Sequence, residues 1–473
     1  MSLEQIREMI KNGSLKTIDL KYAGLSGKWY HITFPARRLE NVLEFGVPFD
    51  GSSIPGMKSV ESGDMVLMPD PTSAHLDPLR DNPTLRLICS ICDADTRIGI
   101  KKDPRSVAHR AQKYLESTGL ADTSLWTPEY EFHLFDSVDY INDPFNTGYS
   151  FTSSEDKAAM TDDIDDRQGL SQQNVKGYHM DDPFDSFFDL REEVVMKLED
   201  LGIKVRYHHH EVGLHSQQEI ETELLPFPKI CDDHKVIMDL IRRVALQYDA
   251  TATFMPKPVY KEAGNGMHFH MMLKKDGKNI FYNKGGYADL SDEAIWFMAG
   301  ILKHGRSICA FTNPSTNSYK RLLPGYEAPV KLFFGLANRS AAIRIPKYAT
   351  EENTKRFEFR TGDATCNPYL AMSALLMAGL DGIKNKYNPA DFNFGPYDEN
   401  IFAWSEEKKA ELSSVPANLE EALDALKEDH EYLLAGDVFN KELIESHINE
   451  KMKEVHEVNN RPHPYEMNLY YNV

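Results

Sequence analysis

Five short segments alternate apolar residues with charged ones, and the charged ones are of types that hold cations and phosphates. In Thr127–Phe135, Glu129, Glu131 and His133 share one face of an extended strand, with Tyr130, Phe132 and Leu134 on the other. In Val205–Val212, Glu211 ends a run of three histidines and shares its face with His209. Gln217, Glu219 and Glu221 then alternate in the same way. Gly266–Leu273 sets His268 and His270 opposite Met267, Phe269 and Met271, and Arg356–Arg360 sets Arg356, Glu358 and Arg360 opposite Phe357 and Phe359. Each alone is an ordinary half-buried strand with its polar side to water. Together they could bring two imidazoles and a row of carboxylates onto one concave sheet face. Carboxylates crowded in a partly buried site repel one another and need cations to stay ionised. Oxygen donors with an occasional imidazole point to magnesium or manganese rather than zinc. Two such ions facing a basic pocket are suited to phosphoryl transfer.

The basic pocket is visible between positions 321 and 360, where Arg321, Arg339, Arg344, Arg356 and Arg360 fall in an otherwise acidic chain. Arginine suits bidentate binding of phosphate and carboxylate. The sequence has no G-x-x-x-x-G-K-[ST], no kinase loop set and no strand-to-helix G-x-G-x-x-G, which closes the P-loop, kinase and Rossmann routes. The formal charge of −20 over 473 residues argues against nucleic acid or anionic lipid as a partner. The longest apolar stretch, Ala371 to Leu380, is half a membrane span, and the first residues do not read as a signal peptide. Five cysteines, few and odd in number, suit a reducing cytoplasm. Cys89-x-x-Cys92 lies in an apolar run and reads as buried strand cysteines, with a redox pair as the alternative.

The elements that must position these residues divide the chain in two. Thr17–Leu20, Trp29–Phe34, Met65–Met68 and Leu85–Cys92 read as short strands between Gly- and Pro-rich turns. A boundary falls at residue 103, where Asp103 can cap a helix opened by Pro104. The expected organisation is α+β: a small β-rich domain at 1–103 and a large body at 104–473. Within the body, 141–177 reads as one long solvated loop. Helices are expected at Phe187–Leu201, His234–Gln247, Asp292–Phe311, Pro368–Lys386 and Leu419–Leu433, the last two opened by Asn367-Pro368 and by an Asn418-x-x-Glu421 capping box.

At this point the residues become recognisable. FDGSSI (49–54), PEYEF (128–132), HHHEV (208–212), ATATFMPKP (250–258), GMHFH (266–270), NSYKRLLPGYEAPV (317–330), NRSAAIRIP (338–346), RFEFR (356–360), the helix NPYLAMSALLMAGLDGIKNK (367–386) and the terminal HPYEMNLYYNV span the chain. In these the sequence resembles glutamine synthetase of the bacterial type I class. The resemblance implies a β-grasp-like N-terminal domain and a catalytic domain with a curved antiparallel sheet flanked by helices. It implies ATP-driven ligation of ammonium to the γ-carboxylate of glutamate through γ-glutamyl phosphate, with two Mg2+ or Mn2+ ions per site. By matching position, Glu131, Glu211 and Glu219 would hold one ion, and Glu129, His268 and Glu358 the other. Arg321, Arg360 and backbone near Gly264 would bind glutamate. Arg339, Arg344 and Arg356 would surround the ATP phosphates, with His270 and Met272 at the nucleotide site. Asp50, beside Ser53, would bind and deprotonate ammonium, with Tyr178 and the flap residue Glu327 completing that site.

The chain departs from the family pattern at three positions. Ala263 stands where an Asn usually contacts glutamate, which leaves open whether Asn265 substitutes; Met57 replaces a Trp and Met272 a Ser. The resemblance further implies a cytoplasmic homododecamer of two stacked hexameric rings, with Asp50 donated across a subunit interface and the tail 463–473 joining the rings. Tyr397, set among turn-formers that should expose it, is the candidate for adenylylation. Two alternatives stay open from sequence: a ligase joining glutamate to a polyamine or other amine, and a non-catalytic assembly protein that kept the fold.

Overall fold

The computed structural model describes residues 1–58, 63–155, 176–213, 216–324 and 328–471. Five strands form the N-terminal sheet: β1 (Thr17–Ala23), β2 (Trp29–Pro35), β3 (Val47–Asp50), β4 (Asp64–Leu76) and β5 (Thr84–Asp93), in the order β2-β1-β5-β4-β3. The central pair β1/β5 is parallel and the other pairs are antiparallel. Ile18, Leu20, Leu85, Leu87 and Ile91 bury the inner face. Cys89 and Cys92 lie on β5, three positions apart and therefore on opposite faces. Burial pushes the Cys92 thiol up to about 11 and the Cys89 thiol well above its usual range, so both behave as core residues rather than a redox pair.

Asp103 caps the helix Pro104–Thr118 as expected, its carboxylate accepting from Ser106 N, and Gly119 closes it in the left-handed conformation at φ 70°. The body carries a second sheet, built on β6 (Thr123–Phe135). A two-stranded hairpin, β7 (Ser137–Asp143) and β8 (Asn146–Thr152), follows. It corrects the reading of 141–177 as one loop: 141–152 belongs largely to the hairpin, and 156–175 lies outside the described residues. Then come β9 (Val205–His210), β10 (Gln217–Thr222), β11 (Leu225–Pro226), β12 (Thr251–Thr253), β13 (Phe269–Lys275), β14 (Lys278–Asn279), β15 (Lys331–Leu336), β16 (Ala341–Ile345) and β17 (Phe357–Phe359). The main path runs β15-β16-β17-β13-β6-β10-β9. It is antiparallel throughout except for β15/β16, which pair in parallel.

Helices pack the body's core. Pro368–Asn385, capped by Asn367, is apolar and buried almost all round, as an interior helix must be. The expected helix from His234 begins earlier, at Lys229, and Leu419–Leu433 is shorter, Leu419–Glu428. Asn418 caps the latter by accepting from Glu421 N, but the Glu421 carboxylate takes the Ala417 N–H and the Asn418 side-chain amide rather than the Asn418 backbone N–H. Helices Leu3–Lys11, Leu39–Phe45 and Lys441–Asn459 were not foreseen.

The expected helix Asp292–Phe311 is two helices, Asp292–Lys303 and Gly305–Thr312, divided at His304. The break is held by the imidazole. Nδ1 donates to Asp429 (2.9 Å), Nε2 donates to Asp381 (3.0 Å), and the ring stacks on Tyr432 at 4.0 Å. With both nitrogens facing carboxylates, the ring serves best as a cation. Burial alone would lower its pKa, but hydrogen bonds to Asp381 and Asp429 outweigh it and hold it above the usual histidine range. A raised folded-state value stabilises fully below about pH 6.5 and loses that stabilisation as pH rises through the raised value. His304→Asn should therefore cost about 2 kcal/mol at pH 6, less than a fully buried pair because Asp429 is partly exposed. Thermal unfolding from pH 6 to 9 should show the difference from wild type shrinking; a gap that widens with pH would contradict the assignment.

Candidate active site

Register on β6 sets the site. Glu131 lies directly opposite Glu219 on β10, and Glu129 opposite Glu221. Like charges placed across a strand pair destabilise a sheet unless something between them compensates. On the other side, β13 brings His270 opposite Glu358 of β17, and Glu358 opposite Arg344 of β16. These strands enclose a cavity of about 220 Å³ whose walls include Glu129, Glu131, Glu211, Glu219, His268 and Glu358. The convergence expected from alternation is thus present in one cavity.

The hydrogen bonds divide it into two ends. At one, Glu129 accepts from His268 Nδ1 (2.6 Å) and His270 Nε2 (2.8 Å). Glu358 accepts there from Arg344 Nη1 (2.6 Å) and Arg360 Nε (2.9 Å), with His268 Nδ1 at 3.4 Å. At the other, His209 lies 3.6 Å from Glu211 and 3.8 Å from Glu219. Burial works against ionised Glu129, but the two histidines hold it well below the usual carboxylate range. Glu219 goes the other way: burial, then the charges of Glu129, Glu211, Glu131 and Glu221, push it well above that range.

Ligand atoms of Glu129, His268 and Glu358 lie within 4.8 Å of one another, as do those of His209, Glu211 and Glu219, and those of Glu129, Glu221 and His270. This donor set, mostly carboxylate with some imidazole, fits hard divalent cations. The first triad matches the expected set. In the second, His209 stands with Glu211 and Glu219, while Glu131 lines the same cavity with Oε2 accepting from Gly266 N (2.6 Å). His209 and Glu221 were given no role by the resemblance, although strand alternation had already put both on the acidic faces.

Around the acids, Arg321, Arg339, Arg344 and Arg360 line the cavity, with Tyr178 at the mouth. Arg321 is anchored by Thr361 O (3.0 Å) and Gly362 O (3.1 Å). Gly264 is required by space: a Cβ would lie 2.3 Å from Pro256 O and 3.0 Å from Arg321 Cγ. Ala263 lines the cavity, whereas Asn265 points away. Its Oδ1 accepts from His133 (2.8 Å) and Gln217 (3.2 Å) and its Nδ2 donates to Met255 O (2.9 Å), so its amide is committed within the protein and does not take the place of the missing Asn.

Arg356 stands beside the cavity: its Nη1 donates to Thr354 O and its guanidinium lies over the ring of Tyr348, which lines it. Met272 falls two residues beyond His270, opposite Leu125, inside the packed core. His270 sits behind Glu129. Asp50 lines a separate hollow of the N-terminal domain, its carboxylate accepting from Ser52 N, Ser52 Oγ and Ser53 Oγ, which accords with its expected donation to the site of another subunit. Tyr397 is half-buried rather than exposed, its ring edge-on to Trp404 at 5.0 Å and near Phe333. Glu327 lies outside the described residues.

Comparison with known proteins agrees with this geometry. Residues 101–470 match the glutamine synthetase catalytic domain, and residues 14–94 match the glutamine synthetase β-grasp domain. The chain belongs to the glutamine synthetase family. It is 44% identical to the glutamine synthetase of Neisseria gonorrhoeae over the whole of both chains. It is 43% identical to that of Azotobacter vinelandii over 98% of this chain and 99% of the relative. The fold superposes on the cryo-EM structure of Plasmodium falciparum glutamine synthetase with a TM-score of 0.90 at 29% identity, covering 100% of this chain and 99% of that one. The N-terminal β-grasp domain and the large α+β catalytic domain are those of the family.

Proposed function

We propose that this cavity makes glutamine from glutamate, ammonium and ATP through γ-glutamyl phosphate, with a divalent cation, magnesium or manganese, at each end of its acid row. Family membership carries the overall activity, that of an ATP-dependent glutamate–ammonia ligase. The observation that carries the site is the pairing of Glu131 with Glu219 across two strands, facing a wall of arginines. Glu129, His268 and Glu358 would hold one cation, and Glu211 and Glu219, with Glu131 or His209, the other. Bound there, the cations would neutralise phosphoryl oxygens as charge is transferred.

The chain's own groups do the rest. Arg321 and Arg360, with backbone at Gly264, bind the glutamate carboxylates, and Arg339 and Arg344 face the nucleotide phosphates. Attack of one anion on another is thereby made possible by fixed positive charge in a partly enclosed site. Asp50 takes the proton that ammonium must lose before it is a nucleophile, with Tyr178 and Glu327 lining that site and Glu327 shielding the acyl phosphate from water.

Because Asp50 lies away from the cavity of its own chain, the reading requires a neighbouring copy. Two features support a ring-forming homo-oligomer, here a dodecamer of two stacked hexamers. β9 ends the sheet with an outer edge that has no strand partner among the described residues, an edge that soluble proteins cover. The terminal helix Pro464–Tyr470 leaves Tyr465, Met467 and Tyr470 exposed, as an inter-ring tail would. Buried free cysteines accord with a cytoplasmic location, and no described helix is long and apolar enough to cross a membrane. Phosphate release should require glutamate and ammonium together, with magnesium or manganese, and labelled ammonium should appear in glutamine. Preference for putrescine or ethanolamine over ammonium would instead make the enzyme an amine ligase, and no turnover with any acceptor would make it a non-catalytic protein.

A further inference from the structure

A further cavity of about 540 Å³ opens between the N-terminal domain and the body. Its walls are the β1–β2 turn, Ser26–Trp29, and the helix Lys229–Gln247, closed by Thr253–Met255 and Ala364–Cys366. Three cations face it: Lys28, Lys235 and Arg242. Among the described residues none of these three lies within ion-pair distance of a carboxylate. Lys235 Nζ donates to a neutral acceptor, Gly27 O, at 2.7 Å. Arg242 lies over the Phe254 ring at 4.9 Å, and Lys28 over Tyr30 at 5.5 Å.

The carboxylate that lines this cleft, Asp239, is already taken: Arg86 binds it at 2.7 Å and Arg243 at 3.4 Å. Trp29 lines the same cleft. Burial, reinforced by the charge of Arg242 and only partly offset by Asp239, pulls the Lys235 ammonium down to about 8. A site that gathers three cations around open space, its lining carboxylate already held by two arginines, is complementary to a compact anion.

We propose that this interdomain cleft binds a small doubly charged oxyanion, a phosphate or a dicarboxylate, between Lys235, Arg242 and Lys28. Lys235 and Arg242 are the principal contacts, since both sit on one helix face seven residues apart. The site is separate from the cavity described above and shares none of its lining residues.

Trp29 supplies the readout. In the full-length assembled protein without substrates, titration with inorganic phosphate or with succinate should change tryptophan fluorescence saturably, and Trp29→Phe should abolish that change. The two arms separate a phosphate site from a dicarboxylate site. Lys235→Gln combined with Arg242→Gln should raise the half-saturating concentration by about tenfold or more, while Lys235→Arg, which keeps the charge, should stay within about threefold of wild type. Arg242→Gln alone, at an exposed position, guards against misfolding of the double variant and should itself weaken binding by several-fold. A signal that survives Trp29→Phe, equal binding by the charge-removing variants, or no saturable change with either anion would overturn the proposal. No turnover is involved, so its failure would leave the ligase reading untouched.

Discussion

Replacing Glu358 by glutamine should lower glutamate-dependent ATP turnover by about 10³-fold, or roughly 4 kcal/mol of transition-state stabilisation. Glu358 is 2% exposed and takes hydrogen bonds from Arg344 and Arg360 while facing His268. It therefore serves two tasks at once. It helps form the donor set with Glu129 and His268, and it holds two guanidiniums against the cavity wall. Glutamine keeps the shape and one acceptor oxygen but removes the charge. Losing that charge leaves two buried cations uncompensated, so some loss of stability, up to about 3–5 kcal/mol, is expected as well. The two effects separate on measurement: kcat at saturating manganese reports the donor set, and the unfolding midpoint reports the ion pairs. Glu358→Asp should recover part of the stability but little of the turnover. Turnover within tenfold of wild type for the glutamine variant would mean that Glu358 is a scaffold residue only.

Chains carrying Asp50→Ala and chains carrying Glu358→Ala, each inactive alone, should regain activity when mixed and reassembled. If every site takes Asp50 from one subunit and Glu358 from its neighbour, random mixing of equal amounts gives roughly a quarter of sites both groups, and so about a quarter of wild-type activity. The expectation rests on distance. Asp50 ends β3 in its own hollow, with Lys58, Asp64 and Asp93, while the acid row lies in the body's sheet. Asp50 is exposed, and hydrogen bonds from Ser52 and Ser53 hold its carboxyl below the usual range, so it is ionised at neutral pH and ready for a cation. Mixed oligomers confirmed by mass, yet without regained activity, would show that the sites are not shared.

Much of the site was legible because strand alternation is a strong local signal. Glu129, Glu131, Glu219, His268 and Glu358 each sit on a two-residue period that also fixes which neighbours are core, and the sheet then had only to bring those faces together. Met272 shows where that signal stops. It shares the parity of His268, but parity says nothing about how far along the strand the cavity extends, and Met272 falls past its end in the packed core. The His304 break could not be read either, since the apolar pattern runs straight through it. What divides the helix is a pair of aspartates, Asp381 and Asp429, far along the chain. Tyr397 misleads for a similar reason: turn-forming neighbours expose a backbone, yet the ring found Trp404 and Phe333 to pack on. The hairpin β7–β8 was hidden because its strands are exposed on both faces and carry no burial period.

The most direct test of the two-cation reading is a crystal structure with Mn2+ and a non-hydrolysable ATP analogue, with anomalous differences collected at the manganese edge. Two strong peaks should appear in the cavity, one touching Glu129, His268 and Glu358 and the other touching Glu211 and Glu219. No manganese between these carboxylates, or ions bound only at exposed acids elsewhere, would contradict it.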